Sequence, residues 1–154
     1  MNKNDYRIER EKLYGVENGY RYTLYNKNNK ECSSLEVEKE CFRDKFCNLR
    51  DDFEKDVLYI YNFNTNSRHR NKGYGRALLQ NIINRYKGKY ELIHLNVCPF
   101  FEHEIWVEED AVPKNGLDKD RLLKFYESFG FRKYHKQVVS KKYVVMIMEG
   151  KSGE

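Results

Sequence analysis

The residues with the most chemical content are Arg70-Asn71-Lys72-Gly73-Tyr74-Gly75-Arg76, set between a strand-like segment and a helix-like one. The first backbone N–H groups of a helix have no internal partner, and the aligned peptide dipoles add positive potential there. A turn that delivers a strand to a helix N-terminus is therefore an anion site. Gly73 and Gly75 are expected to allow positive φ and a close approach of backbone to ligand. Arg68, Arg70, Lys72 and Arg76 put full charges around the same turn. The expected ligand carries phosphate. Two common phosphate loops are excluded. No Gly-x-x-x-x-Gly-Lys-Ser/Thr run exists, and the third small residue of a dinucleotide fingerprint would fall on Leu78. The competing reading is a basic surface turn whose glycines serve geometry alone.

A second chemical feature lies between Pro99 and Gly116. Glu102, Glu104, Glu108, Glu109 and Asp110 are interleaved there with Phe100, Phe101, His103 and Trp106, the chain's single tryptophan. Carboxylates beside aromatic faces suit a cationic amine, through ion pairing and cation–π contact. A solvated acidic loop with its aromatics packed down is the alternative. The four cysteines have no paired spacing and the four histidines are not at metal-ligand spacing, so buried reduced thiols are expected and no metal site. Net charge is +5 but the signs are mixed along the chain, so one anion site explains it and nucleic acid is not an expected partner.

These residues need elements to position them. A chain of 154 residues with 40% hydrophobic content fits one packed domain, expected over residues 1–150, with 151–154 as a frayed tail. There is no 18-residue apolar run and the N-terminus is polar, so neither membrane span nor signal peptide is expected, and the location is read as cytoplasmic. Alternation predicts a strand over Tyr6–Leu13. A hairpin follows, from Tyr20–Tyr25 and Cys32–Val37 around Asn26-Lys27-Asn28-Asn29-Lys30. Val57–Phe63 is β-branched and aromatic on both faces, as a covered central strand requires. A helix over Ala77–Tyr86 shows the stripe Leu78, Leu79, Ile82, Ile83, Tyr86 and ends at Gly88. Leu92–Val97 is a strand. Asp118 caps a last helix with the stripe Leu122, Phe125, Tyr126, Phe129, ended by Gly130, and strands near Phe131–His135 and Tyr143–Met148 close the fold. Residues 38–54 fit either a short helix or a packed loop.

Arg70-x-x-Gly73-x-Gly75 at a strand–helix junction resembles the coenzyme A pyrophosphate loop of the GNAT superfamily of N-acetyltransferases. Tyr126-Glu127-Ser128-Phe129-Gly130-Phe131 is similar to that family's second motif, a helix ending in Tyr-x-x-x-Gly-Phe. The likeness covers roughly residues 55–148. It implies an α+β fold, a mixed and mostly antiparallel sheet flanked by helices. The N-terminal helix pair would be reduced or absent, because only Tyr14 to Gly19 separates the first two strands. It implies acetyl-coenzyme A as cosubstrate and direct acetyl transfer to a small-molecule or peptide amine. Tyr126 would be the general acid for the departing thiolate, although alone it reads as one aromatic on an apolar stripe. Arg70, Asn71, Lys72, Gly73, Tyr74, Gly75 and Arg76 would surround the pyrophosphate, and Phe63, Asn64 and Thr65 would offer backbone groups to pantetheine. Glu102, Glu104, Trp106 and Glu108 are the acceptor candidates. Glu102, Glu104, Glu108 and His94 are the base candidates. Lys119 stands where family members often carry asparagine, and the segment after the fifth strand is longer than usual. A coenzyme A-binding module with little or no catalysis is the alternative, and the acceptor and oligomeric state stay open.

Overall fold

The computed structural model describes residues 2–16, 18–39, 57–97, 119–134 and 144–150. Among the described residues, seven strands form one sheet: β1 Tyr6–Lys12, β2 Gly19–Asn26, β3 Glu31–Lys39, β4 Val57–Thr65, β5 Leu92–Val97, β6 Arg132–Lys133 and β7 Val144–Glu149. Two helices, α1 Tyr74–Tyr86 and α2 Lys119–Glu127, follow β4 and β5. The strand order is β1-β2-β3-β4-β5-β7-β6. Every pairing is antiparallel except β4 with β5. This is the expected α+β architecture.

Local chemistry explains the connections. Asn26 closes the β2–β3 hairpin: its Oδ1 accepts the N–H groups of Asn28 and Lys30 at 2.9 and 3.0 Å. Asn29 takes the left-handed conformation at φ 63°, which a short amide side chain tolerates. Between β1 and β2 the Leu13 N–H donates to the Gly19 carbonyl at 3.0 Å, so a tight turn stands where a helix pair would otherwise be inserted. Gly88, at φ 92°, ends the α1 segment and donates to the Gly150 carbonyl.

The core lies on one face of the sheet. Alternation sends Leu35, Val37, Leu58, Ile60, Ile93, Leu95, Met146 and Met148 to that face, where Leu78, Leu79, Ile82, Ile83 and Tyr86 of α1 meet them. Each such fully buried aliphatic side chain stabilises by about 1.5–3 kcal/mol. The α1 stripe is the one expected, though the helix starts at Tyr74, a turn earlier. On α2 the buried pair is Leu123 and Tyr126, while Leu122, Phe125 and Phe129 pack around the margin, so the expected stripe is rotated slightly. The opposite face carries Glu36, Glu38, Tyr59, Tyr61, His94 and Asn96. Glu38 and Lys39, expected in a short helix or loop, instead extend β3 opposite Tyr59 and Leu58. The expected cap Asp118, residues 40–54, the strand ends at His135 and Tyr143, and the tail 151–154 lie outside the described residues.

Two features of β4 set up the site. It pairs with β5 only from Val57 opposite Leu92 to Ile60 opposite Leu95, then runs on to Thr65 without it. The two parallel strands therefore part after Ile60. A β-bulge follows at once: Tyr61 opposes Glu36 and Asn64 opposes Ser34, leaving Asn62 and Phe63 opposite Leu35 alone. Asn62 sits at φ 49°. The extra residue reverses the facing of everything after it, so Phe63 and Thr65 turn toward the helices.

Candidate active site

The glycine turn delivers β4 to an uncapped helix start. After β4 a short 3-10 turn, Ser67–His69, is pinned by Asn66, whose N–H donates to the Cys32 carbonyl at 2.8 Å. The backbone then becomes left-handed at Asn71 (φ 63°) and at Gly73 (φ 86°), the residue that caps α1. Gly73 accepts the Ala77 N–H at 2.9 Å, and no side chain caps the helix. The first amides of α1 are thus left for a ligand. Arg68, Asn71, Lys72 and Gly73 are exposed at this end. The Arg70 Nε donates back to the Thr65 carbonyl at 3.2 Å, tying the turn to the end of β4.

Gly75 corrects one expectation. It does not take positive φ; it lies inside the first turn of α1. Its missing side chain matters for contact: a Cβ there would stand 2.7 Å from Thr65 Oγ1 and 3.6 Å from Phe63 Cζ. Glycine lets the helix start press onto the end of β4. Arg76 keeps its backbone N–H among the uncapped first amides of α1, while its side chain turns to α2. Its guanidinium donates to Ser128 Oγ at 3.1 Å and lies over the Phe125 and Phe129 rings at 5.2 and 4.8 Å. It joins α1 to α2 across the opening.

The tyrosine motif has a physical explanation. The Gly130 N–H donates to the Glu127 carbonyl at 3.0 Å and the Phe131 N–H to the Tyr126 carbonyl at 3.3 Å, with Gly130 at φ 106°. That bond pair is a Schellman C-cap, which needs a left-handed glycine and brings apolar residues five apart together. The Tyr126 and Phe131 rings indeed meet edge-on at 6.2 Å. Phe63 meets Tyr126 at 6.3 Å from the other side. Tyr126 is 9% exposed, its hydroxyl makes no hydrogen bond among the described residues, and burial pushes its phenol well above the ordinary value. Phe63 therefore lies between the two motifs, its Cζ 3.6 Å from where a Gly75 Cβ would stand and its ring 6.3 Å from that of Tyr126.

The opposite face holds the site's other chemistry. His94 is fully buried, pairs in register with Tyr59, and stacks on it at 4.7 Å. Tyr59 stacks on Tyr61 at 5.1 Å, and Asn96 Nδ2 donates to the Tyr59 hydroxyl at 3.4 Å. A cavity of about 490 Å³ lies farther out, lined by Tyr61, Glu36, Arg21 and Glu11 among others. Sequence reasoning singled out His94 but missed Tyr59, Asn96 and the Asn62 bulge. An asparagine inside an apolar strand run is the one signal that could have marked the bulge. Glu102, Glu104, Trp106 and Glu108 lie outside the described residues. Among the described residues no three His, Cys, Asp or Glu side chains converge on a metal site, and no helix is long and apolar enough to cross a membrane.

The chain belongs to the acetyltransferase (GNAT) family, whose model matches residues 19–105. Comparison with curated protein sequences gave no match. Solved structures of the same fold include spermidine N-acetyltransferase from Vibrio cholerae in complex with CoA and spermine. It is 11% identical, with TM-score 0.53, covering 86% of this chain and 66% of that one. PH1933 from Pyrococcus horikoshii OT3 is 23% identical, with TM-score 0.56, 86% of this chain and 66% of that one. Arabidopsis thaliana NAA60, solved with a bisubstrate analogue, is 10% identical, with TM-score 0.56, 86% of this chain and 76% of that one. The chain spans about two thirds of the length of the Vibrio and Pyrococcus proteins.

Proposed function

We propose that the protein transfers an acetyl group from acetyl-coenzyme A directly to a cationic amine, with Tyr126 as general acid. The observation that carries this reading is Phe63, whose ring lies 3.6 Å from where a Gly75 Cβ would stand and 6.3 Å from the Tyr126 ring, at the point where β4 has left β5. The residues fit the cosubstrate. The uncapped amides of α1, with Arg70 and Lys72 beside them, suit a diphosphate. The backbone of Phe63, Asn64 and Thr65 suits an amide-bearing arm laid along β4 as an added strand.

When bound, acetyl-coenzyme A supplies an activated acyl carbon and a thiolate leaving group. Tyr126 holds its proton at neutral pH, because burial disfavours the phenolate, and can give it to sulfur as charge develops. The acceptor must lose a proton. For an alkyl ammonium of pKa near 10.4, deprotonation at pH 7 costs about 4.6 kcal/mol. Of the base candidates, His94 is the one among the described residues. It stands with Tyr59 on the face opposite Tyr126, beside the parting of β4 and β5. In this reading, cosubstrate and amine meet through the gap from opposite faces.

Titration with coenzyme A tests the first half. At 100 times the dissociation constant it should stabilise the fold by about 2.7 kcal/mol. A mass-spectrometric screen over polyamines, amino sugars, lysine peptides and peptide N-termini tests the second half. No stabilisation at millimolar ligand refutes the site, whereas stabilisation without transfer to any amine favours the binding-module reading.

A further inference from the structure

On the face of the sheet opposite α1, Glu11, Arg21, Glu36 and Tyr61 form a row across four strands, each in direct register with the next. Arg21 Nη1 donates to Glu11 Oε1 at 3.1 Å, while its Nε and Nη2 donate to Glu36 Oε1 at 3.2 and 2.7 Å. The other oxygen, Glu36 Oε2, accepts Asn62 Nδ2 at 3.3 Å. The Glu36 side chain is 13% exposed, so this carboxylate is held in a partly dry setting where a charge-assisted bond is strong. The row ends on the bulge residue itself. Among the described residues, Asn62 is the one left-handed non-glycine residue inside a strand; Asn18, Asn29 and Asn71 sit in turns.

The bulge decides which way the site faces. Without the extra residue, strand alternation would send Phe63 to the same face as Tyr61, away from Gly75 and Tyr126. We propose that Glu36 is a positioning residue: through Asn62 it holds the bulge that turns the Phe63–Thr65 edge toward the cofactor cleft, and Arg21 and Glu11 hold Glu36. This rests on the coenzyme A reading above. Glu36 touches no reacting atom; it acts through the backbone of β4.

The test compares two ligands by calorimetry. Acetyl-coenzyme A needs both the glycine turn and the β4 edge. A pantetheine-free nucleotide with the same diphosphate, 3′-phosphoadenosine 5′-diphosphate, needs the turn alone. Glu36→Ala and Asn62→Ala should each weaken acetyl-coenzyme A roughly tenfold or more, the effect of one lost charge-assisted bond, and leave the nucleotide unchanged. The double variant should lose no more than either single one, because both break the same link. Asn62→Gly in the Glu36→Ala background should recover most of the loss, since glycine takes φ 49° without an anchor. Additive losses, wild-type affinity in Glu36→Ala, or equal loss of both ligands would overturn the proposal. A wild-type protein that binds neither ligand overturns the coenzyme A reading and this inference with it.

Discussion

Replacing Gly75 by alanine asks whether close contact between α1 and β4 is what shapes the ligand site. The new Cβ would stand 2.7 Å from Thr65 Oγ1, inside any normal carbon–oxygen contact. Thr65 cannot simply rotate away, because its hydroxyl shares a 3.1 Å hydrogen bond with Ser33, which also donates to the Asn64 carbonyl at 2.9 Å. Either that bond breaks or the first turn of α1 moves off the strand. Overpacking of this kind costs about 1–3 kcal/mol. Replacing glycine in a helix returns up to about 1 kcal/mol, so the net destabilisation should be about 1–2 kcal/mol. In a domain of this size each kcal/mol lowers Tm by about 2–4 °C. The effect on ligand should be larger than the effect on the fold. The α1 amides are the phosphate donors in this reading, and a shift of several tenths of an ångström misaims them together, so coenzyme A affinity should fall at least about tenfold. Thermal unfolding and calorimetric titration read the two effects separately. Thr65→Ala in the same chain removes the clashing oxygen and should restore affinity. Wild-type coenzyme A binding by Gly75→Ala, or no rescue by Thr65→Ala, would refute the argument.

Further outcomes follow from single residues. Tyr126→Phe removes a hydroxyl with no hydrogen bond among the described residues, so fold and cofactor affinity should hold while turnover falls by roughly 10²–10⁴; equal losses in turnover and binding would make the tyrosine structural. Because burial raises this phenol, its proton is kept through pH 10, and turnover should show no decline from Tyr126 between pH 8 and 10. Stability should behave otherwise. The phenols of Tyr126 and Tyr86 are both raised in the fold, Tyr86 by burial and then by its hydrogen bond to Tyr22. Above the unfolded value near 10 the unfolded chain releases protons first, so stability present below pH 10 should be lost above it, by up to about 2.7 kcal/mol per pH unit for the pair. Denaturant melts at pH 8 and 10.5 measure the slope, and Tyr86→Phe should reduce it. Arg76→Ala cuts the link between α1 and α2 and should lower Tm by about 2–4 °C, the effect of roughly 1 kcal/mol in cation–π contact. It should weaken coenzyme A less than Lys72→Ala does; the reverse order would make the Arg76 side chain a phosphate contact.

The sequence exposed most where local rules and tertiary demands agree. The α1 stripe, the Asn26 hairpin and the glycine ends at Gly88 and Gly130 each follow from a period or from a backbone angle that few residues adopt. The loop was legible for the same reason, although Gly75 is small for contact and not for φ. The bulge was hidden. Val57 to Phe63 is apolar or aromatic at nearly every position, so the run does not say which face Phe63 takes, and a reversal of facing leaves no mark in such a pattern. Only Asn62 hinted at it. The bridging role of Arg76 was equally invisible, because it depends on how α1 meets α2. Leu123 escaped for a related reason: a helix end rotated by part of a turn exchanges neighbours on its apolar stripe.

Direct transfer, without an acetylated enzyme, is the remaining part of the proposed mechanism to test. An acyl-enzyme needs a nucleophile that ionises or is paired with a base. Cys32 is fully buried, its Sγ donates to the Lys30 carbonyl at 3.3 Å, and burial raises its thiol above the ordinary value against the opposing charge of Lys72. A thiol raised in this way carries little thiolate at neutral pH. The hydroxyls of Ser33 and Thr65 lie near the glycine turn but bond to each other and to a backbone carbonyl. Tyr126 is held neutral on one face while His94 and Tyr59 stand on the other, which suits an amine attacking a thioester across the gap. Initial rates over both substrates should therefore give intersecting lines. Incubation with acetyl-coenzyme A alone should leave the intact mass of the whole chain unchanged, a readout that covers every cysteine. Parallel lines, together with one acetyl group per chain before amine is added and its loss after, would overturn direct transfer and leave the cofactor site standing.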